Sequence, residues 1–299
     1  MLSRLFNPDK TVYAQLEYVL PHSSISYQLD RGADEAFWNE VRPCDALIHV
    51  VRNFHQPGAE EPHPQEDILK LETDMIFADL VVVERRIERL DLDQKRGKDS
   101  SGEERQLLEE SLRLLEDQRP LRNNPEVASA PLLRGYALLS AKPVLVLFNN
   151  SDEDESFPSW EPTSSLHEAL VVRGKLEMEL AELPPEEAAE FLHAYHIESS
   201  AIHRVIQHSC KTLGLVAFFT VAHKEVRSWL VPKGISALDA ADVIHSDMKK
   251  GFIRAEVLAY DDLAATGGYQ EAKKDGKVRL EGKTYGIQDG DIVTFHFNV

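Results

Sequence analysis

The sequence predicts an α/β sheet interrupted by a helical insertion and followed by a strand-rich module. Three observations carry that prediction. Short apolar runs alternate with helical patterns up to Gly214, a rhythm of threes and fours runs from Ile76 to Leu115, and strand signals crowd the stretch after Leu215.

Taken in order, Lys10 to Val19 alternates aromatic or β-branched with polar side chains, and Asp45 to Val51 is a short apolar run between Pro43 and Arg52. Both read as strands, the second a central one. Ile76, Leu80, Val83, Ile87 and Leu90 then recur at spacings of four and three, and Leu108, Leu112 and Leu115 resume the rhythm after the polar stretch Asp91 to Ser101. That pattern predicts a helical hairpin with a coiled-coil seam, or two ordinary amphipathic helices lying on the sheet. Ala141 to Asn149 is a third strand, with Pro143 at its start, where a missing N–H is tolerated. A fourth covers Ala169 to Val172. Pro184, Pro185, Glu186 and Glu187 open one helix, with proline in the first turn and acids near its positive end, and Ser199 to Leu213 forms another that stops at Gly214. The strands Val216 to Val221 and Glu225 to Val231 open the last module. A short helix from Ser236, the strand Phe252 to Leu258 and a turn at Asp289-Gly290 into the strand Asp291 to Val299 complete it.

At 299 residues the chain can bury two separate cores without staples. Its two cysteines, Cys44 and Cys210, lie far apart and away from metal-ligand spacing, which fits a reduced compartment. No apolar run approaches the ~18 residues of a membrane helix, and no charged and apolar leader pattern opens the chain, so a soluble, cytoplasmic protein is expected. The net charge of −18 is uneven: Met1 to Gly214 holds 22 basic against 39 acidic residues, Leu215 to Val299 holds 11 against 12. A polyanion meets the second part more easily, and an acidic body argues against sequence-independent wrapping of nucleic acid such as DNA.

The segment LFNNSDED puts Asn149, Asn150, Ser151 and Asp152 at the end of an apolar strand, where α/β proteins place ligands; the plain alternative is an acidic loop that caps its own turn. Phe54 follows the run DALIHVVR, with His55 and His63 in the same loop. Lys249, Lys250 and Arg254 precede or enter a strand, and Lys273, Lys274, Lys277, Arg279 and Lys283 make a second basic stretch; each can contact phosphate or form a solvated face. His223 and His245 lack a third ligand nearby and read as structural, so no metal site is expected from protein ligands alone. No Gly-rich loop ending in Lys-Ser or Lys-Thr stands between Met1 and Val299.

The segments FFTVAHKEVRSWLVPKG, AADVIHSDMKKGFIRAEV and RLEGKTYGIQDGDIVTFHFNV resemble the C-terminal TGS domain of the YchF/Obg-like ATPase family, translation-associated P-loop NTPases. The resemblance implies a ubiquitin-like β-grasp at residues 215–299, an incomplete G-domain core at 1–65 and 140–214, and a helical coiled-coil insert at 66–139. It sets Asn149 and Asp152 on the first and fourth positions of the base-reading NKxD motif, with Asn150 between them and Phe54 against the base. It also points to His55 or His63 for hydrolysis, although this loop is shorter than the family pattern. Where the family carries DxAG, this chain has LPHSSIS (Leu20 to Ser26), and Arg173, Gly174 and Lys175 replace a Ser-Ala-Lys-like turn. The first residues, LSRLFNPDKTVYA, match a family segment already past the phosphate loop, which suggests either a late start or a degenerate descendant. The implied function is ATP or GTP binding with Mg²⁺, ribosome or RNA contact through Lys249, Lys250 and Arg254, and hydrolysis weak or lost. The alternative is a non-enzymatic RNA, ribosome or protein interaction module on the same scaffold. Adenine against guanine and the oligomeric state are left open.

Overall fold

Every apolar run read above as a strand is paired, at least in part, in the computed structural model, and the runs sort into two sheets. The structure describes residues 2–22, 35–97, 102–162, 168–184, 187–188, 192, 195, 199–222 and 224–298. His223, Ser23 to Ser26 of LPHSSIS and part of the helix expected from Pro184 therefore lie outside the described residues. Two units form, Met1–Glu17 with Leu213–Val299, and Tyr18–Thr212.

The first 17 residues depart from the sequence expectation. A long strand over Lys10 to Val19 is reduced to β1, Lys10–Val12, after a short helix α1, Leu2–Phe6. Strand β1 runs parallel to β6, Glu225–Pro232, rather than beside the other N-terminal strands. The reason is local: Leu2 is buried in the cluster formed by Leu258, Leu263 and Ile292, the Phe6 ring meets Tyr269 edge-on at 6.4 Å, and Asp9 N–H donates to the Lys224 carbonyl at 2.7 Å. A free sheet edge and an apolar patch together hold the segment.

In the unit Tyr18–Thr212, β2 (Leu47–Asn53), β3 (Val144–Asn150) and β4 (Glu168–Val172) form a parallel sheet in that order. Strand β3 is central, with Val144, Leu145, Val146 and Phe148 all buried, as a strand covered on both faces requires. Helix α2 (Glu35–Val41) packs Trp38 and Val41 against Met75 and Leu139. Helix α3 (Pro64–Lys95) begins with proline in its first turn and acids Glu66 and Asp67 near its positive end; it runs four residues past Asp91 before its chain turns. Helix α4 (Gly102–Glu116) packs along it. Ile76, Val83 and Leu90, seven apart, are buried with Leu108 and Leu115, while Leu80, Ile87 and Leu112 are half-buried at the margin. Each fully buried apolar side chain contributes about 1.5 to 3 kcal/mol, so this seam is a principal source of stability in the unit. Ion pairs across it, Arg86 with Glu104 at 2.8 Å and Arg105 with Asp91 at 2.6 Å, are partly exposed and add little.

Where α3 meets the strand system, charges are buried. The Asp79 carboxylate accepts from Leu139 N–H (2.9 Å), Ser140 N–H (2.7 Å), Ser140 Oγ (2.8 Å) and Arg42 Nη1 (3.2 Å). Glu72 pairs with Arg122, whose Nε donates to the Lys142 carbonyl at 2.7 Å. Burial raises both carboxyls above their ordinary values, and the hydrogen bonds and arginines pull them back.

The unit Met1–Glu17 with Leu213–Val299 holds a six-stranded sheet in the order β1-β6-β5-β9-β7-β8, where β5 is Leu215–Ala222, β7 Phe252–Ala259, β8 Arg279–Glu281 and β9 Asp291–Phe297. The β5–β6 hairpin is antiparallel, β5 and β9 are parallel, and β7 pairs antiparallel with both β8 and β9. After α5 (Pro125–Ala128), α6 (Gly174–Glu182) and α7 (Ala201–Thr212) in the other unit come α8 (Ala237–Ile244) and α9 (Ser246–Lys250). Helix α8 is capped by Ser236, which accepts from Asp239 N–H at 3.1 Å, and covers one face of the sheet through Ala237, Ala240 and Ala241. Helices α10 (Tyr260–Thr266) and α11 (Tyr269–Lys274) cover the other through Leu263 and Ala272. Gly267 ends α10 at φ 76°, the left-handed conformation that favours glycine.

Candidate functional site

The carboxyl ends of β2, β3 and β4 lie side by side, with Arg52 opposite Asn149 and Asn149 opposite Val172. In parallel sheets this is the edge at which ligands are held. Asn149 ends the β3–β4 ladder with its side chain turned to the start of α6: its Oδ1 accepts from Gly174 N–H at 2.9 Å. A Cβ at position 174 would stand 2.8 Å from that oxygen, so any side chain there would displace the Asn149 amide. The contact leaves the Asn149 amide NH₂ available to a ligand.

Asp152 lies one turn on. Its carboxylate pairs with Lys175 Nζ at 3.2 Å, and its carbonyl accepts from Arg173 Nη1 at 3.4 Å. Arg173, nearly buried, also donates to Glu155 at 3.0 Å and to the Tyr195 carbonyl at 2.8 Å. The Arg173-Gly174-Lys175 turn is thus stitched at three successive residues to the end of β3 and the loop after it. Lys175 is mostly exposed, its pairing with Asp152 raises its pKa above the ordinary lysine value, and an incoming donor can replace the contact.

Asn150 behaves differently from its expected role. It is buried, its Oδ1 accepts from Asn53 Nδ2 at 2.9 Å, and its own Nδ2 donates to the Asp154 and Ser156 carbonyls at 3.2 and 2.7 Å. Both amide hydrogens are in use inside the protein, so Asn150 shapes the loop instead of facing a ligand. Asp154 accepts from the Ser156 hydroxyl and N–H, which hold its carboxyl below the ordinary range.

Phe54 is half-buried at the end of β2, and its carbonyl accepts from Arg52 Nη1 at 3.1 Å. Arg52 Nη2 reaches the Glu60 carbonyl at 2.7 Å, so one guanidinium fixes the loop. His55 is exposed and faces Glu61 at 3.1 Å, while His63 is exposed at the N-cap of α3 without a side-chain capping bond. Neither histidine is brought to the Asn149 edge by any contact among the described residues.

Lys249, Lys250 and Arg254 are all on the other unit. Lys249 is held between Asp239 and Asp242, both at 3.0 Å, and Lys250 pairs with Asp247 at 3.3 Å. Those acids offset two of the three charges. Arg254 projects from β7 and is exposed, beside its cross-strand partner His296. Of the second basic stretch, Lys273 pairs with Glu256, Lys277 with Asp262, and Arg279 stacks on Tyr285 at 5.5 Å. His245 caps α9 through Nδ1, which accepts from Asp247 N–H at 3.2 Å, a structural use.

The residues that sequence reasoning missed are polar ones on apolar faces. Glu72 and Asp79 share the stripe of Ile76 and Val83, a signal visible as acids at positions where the helical rhythm demands apolar side chains. Asn53 and Arg52 carried no such mark.

A magnesium nucleotide has two needs, a base edge and a phosphate cradle. The Asn149, Asp152 and Phe54 chemistry fits the first. For the second, no group of three or more His, Cys, Asp or Glu side chains gathers around a metal position among the described residues, and the sequence contains no Gly-rich phosphate loop. Among the described residues, the side-chain types therefore suit a base edge better than a metal–phosphate end.

A parallel sheet with Asn149 at its carboxyl edge and Asp152 in the loop beyond it makes this unit an α/β domain, in a chain that also folds a second, mixed-sheet unit. Comparison with known proteins places it more closely. The YchF-GTPase_C family model, described as a protein of unknown function (DUF933), matches residues 215–298. The ribosome-binding ATPase YchF of Bacillus subtilis (strain 168) is 36% identical over 315 residues, covering 100% of this chain and 86% of that protein. Its counterpart in Haemophilus ducreyi is 37% identical over 310 residues, covering 100% and 85%. Among solved structures, the Schizosaccharomyces pombe YchF GTPase superposes with a TM-score of 0.73 at 26% identity, covering 99% of this chain and 84% of that one. The chain belongs to the YchF family of Obg-like P-loop NTPases.

Proposed function

We propose that this protein binds a nucleotide through its base and works at the ribosome in the cytoplasm. What carries the reading is the Asn149–Gly174 contact beside Asp152, at the edge where parallel sheets hold ligands, in a chain aligned along its whole length with ribosome-binding ATPases. In this reading the Asp152 carboxylate accepts from the base, displacing Lys175. Asn149 offers its amide NH₂ to the base edge while its oxygen holds the α6 turn in place, and Phe54 supplies a stacking face. Magnesium with ATP or GTP would neutralise and orient the phosphates. These 299 residues offer the phosphates no lysine-bearing glycine loop, which supports weak or absent hydrolysis by this polypeptide. The domain plan follows the same reading. Residues 215–299 form a TGS-type β-grasp, supported by the strand order β6-β5-β9-β7-β8 with α8 across one face, and residues 66–139 form a coiled-coil arm inserted in a partial G-domain.

Equilibrium titration of the full chain with fluorescent ATP and GTP analogues, with and without Mg²⁺, tests it. Asp152→Ala and Phe54→Ala should each weaken binding by about tenfold or more, as lost base contacts do. Tight, strictly Mg²⁺-dependent binding that ignores both substitutions would overturn the base-led reading.

A second reading, an interaction module with the sheet as scaffold, draws on the Asp152–Lys175 pair, which closes the reading carboxylate within the protein. In that case Asn149 and Asp152 are dispensable. Charge reversal at Arg254, exposed on β7, should then abolish sedimentation with ribosomes, and the association should weaken steeply with added salt.

A further inference from the structure

The last rung of the β2–β3 ladder is an asparagine pair, Asn53 opposite Asn150. Beyond it the strands part into two loops, one opening with Phe54 and the other containing Asp152. A buried amide must satisfy its donors and acceptor inside the protein. Asn150, 3% exposed, does so in both directions: it takes a hydrogen from Asn53 on β2 and gives two to the Asp154 and Ser156 carbonyls of its own loop. On the β2 side, the neighbouring Arg52 binds the Phe54 and Glu60 carbonyls, so that loop too is held by the residues at its root.

We infer that Asn53 and Asn150 form a latch that sets the loop after β2 and the loop after β3 as one preformed unit. The inference deepens the nucleotide reading and rests on it for the ligand, because the two loops so joined carry Phe54 and Asp152. Neither asparagine touches the ligand; both are positioning residues. The physical gain is preorganisation, since a ligand that meets two loops already in register does not lose affinity to ordering them. A plain structural reading, in which the amides only finish the sheet, predicts that removing Asn53 disturbs β2 and leaves the loop after β3 alone.

Hydrogen exchange on the full chain separates the two. Asn53→Leu keeps the size and removes the donor, leaving the Asn150 oxygen without its partner. Exchange of the amides at 151–157, on the opposite strand's loop, should rise about tenfold, the equivalent of one lost hydrogen bond, with no change in Leu213–Val299. Asn53→Ser, which retains a hydroxyl donor and is the gentler substitution, should show a smaller rise. Unchanged exchange at 151–157 in both variants overturns the latch. In a titration with a fluorescent ATP analogue, Asn53→Leu should weaken binding about tenfold in the unsubstituted background and by much less in Asp152→Ala, since the latch acts through Asp152. Fully additive losses overturn the positioning role. If exchange responds but the unsubstituted chain binds neither ATP nor GTP, the latch stands and the nucleotide reading falls.

Discussion

The two units solve the same problem with different chemistry. In Met1–Glu17 with Leu213–Val299, the buried polar side chain among the described residues is Asp291, and the sheet is covered on both faces by apolar contacts. In Tyr18–Thr212, Glu72, Asp79, Arg122, Ser140, Asn150 and Arg173 are among those buried. One unit is held by area removed from water, which tolerates volume-conserving change. The other adds to its apolar seam a set of buried polar groups that must find specific partners, which does not. The contrast touches function at one end of the sheet: Asn150 and Arg173 lie at the carboxyl edge that carries the candidate site, whereas Asp79, Glu72 and Arg122 are joined around residues 139–142, before β3 begins.

The sharpest way to break this comparison is Asp79→Ala. It leaves two backbone N–H groups and the Ser140 hydroxyl without this acceptor and Arg42 with only the Ala137 and Ala78 carbonyls, and should cost the unit about 3 to 5 kcal/mol in denaturant unfolding. A loss under about 1 kcal/mol would show that water substitutes and that the polar interior is not decisive. Next in size is Leu263→Ala, a fully buried side chain in the other unit, expected to cost about 2 to 5 kcal/mol through the cavity it leaves. Leu263→Met should cost less than about 1.5 kcal/mol, and an equal loss for both would contradict apolar packing as the basis there.

The pH dependence sharpens the contrast further. Burial lowers the pKa of His49 on β2 from 6.5 to about 4. Between those values the unfolded chain holds a proton that the folded chain does not, so stability is full above about 6.5 and declines as pH falls toward about 4. The slope attributable to one such group is at most about 1.4 kcal/mol per pH unit. His49→Gln should flatten melting temperature against pH in that window, and an unchanged slope would remove His49 from the account. The smallest effect is expected at Lys250, whose exposed pairing with Asp247 predicts a change within about 0.5 kcal/mol for Lys250→Ala.

Legibility in the sequence follows the same division. The Ile76–Val83–Leu90 spacing is readable because a helix repeats its faces every 3.6 residues, and the alternation in Glu225 to Val231 because a strand repeats every two. The position of Asn149 at a strand's carboxyl end was readable too, from the apolar run before it. What Asn149 touches was not, since Gly174 lies 25 residues on and meets it through sheet pairing. Asn150 shows the limit most plainly: its type and place suit a ligand contact, yet burial and its three partners assign it to the loop. Lys249 was read as a phosphate contact or part of a solvated face, and acids seven and ten residues back in the chain offset its charge.

The sequence by itself determined where most of the strands lie, the seam of the helical pair, the uneven charge and the family, because these depend on local periodicity and residue type; short elements such as Leu2–Phe6, Gly174–Glu182 and Arg279–Glu281 carried no such pattern. Tertiary structure decided where Lys10–Val12 pairs, which acids are buried with which arginines, and which of two adjacent asparagines faces outward. Those outcomes depend on partners far away in the chain. A hydrogen bond or a sheet edge selects among them by geometry that no local pattern encodes.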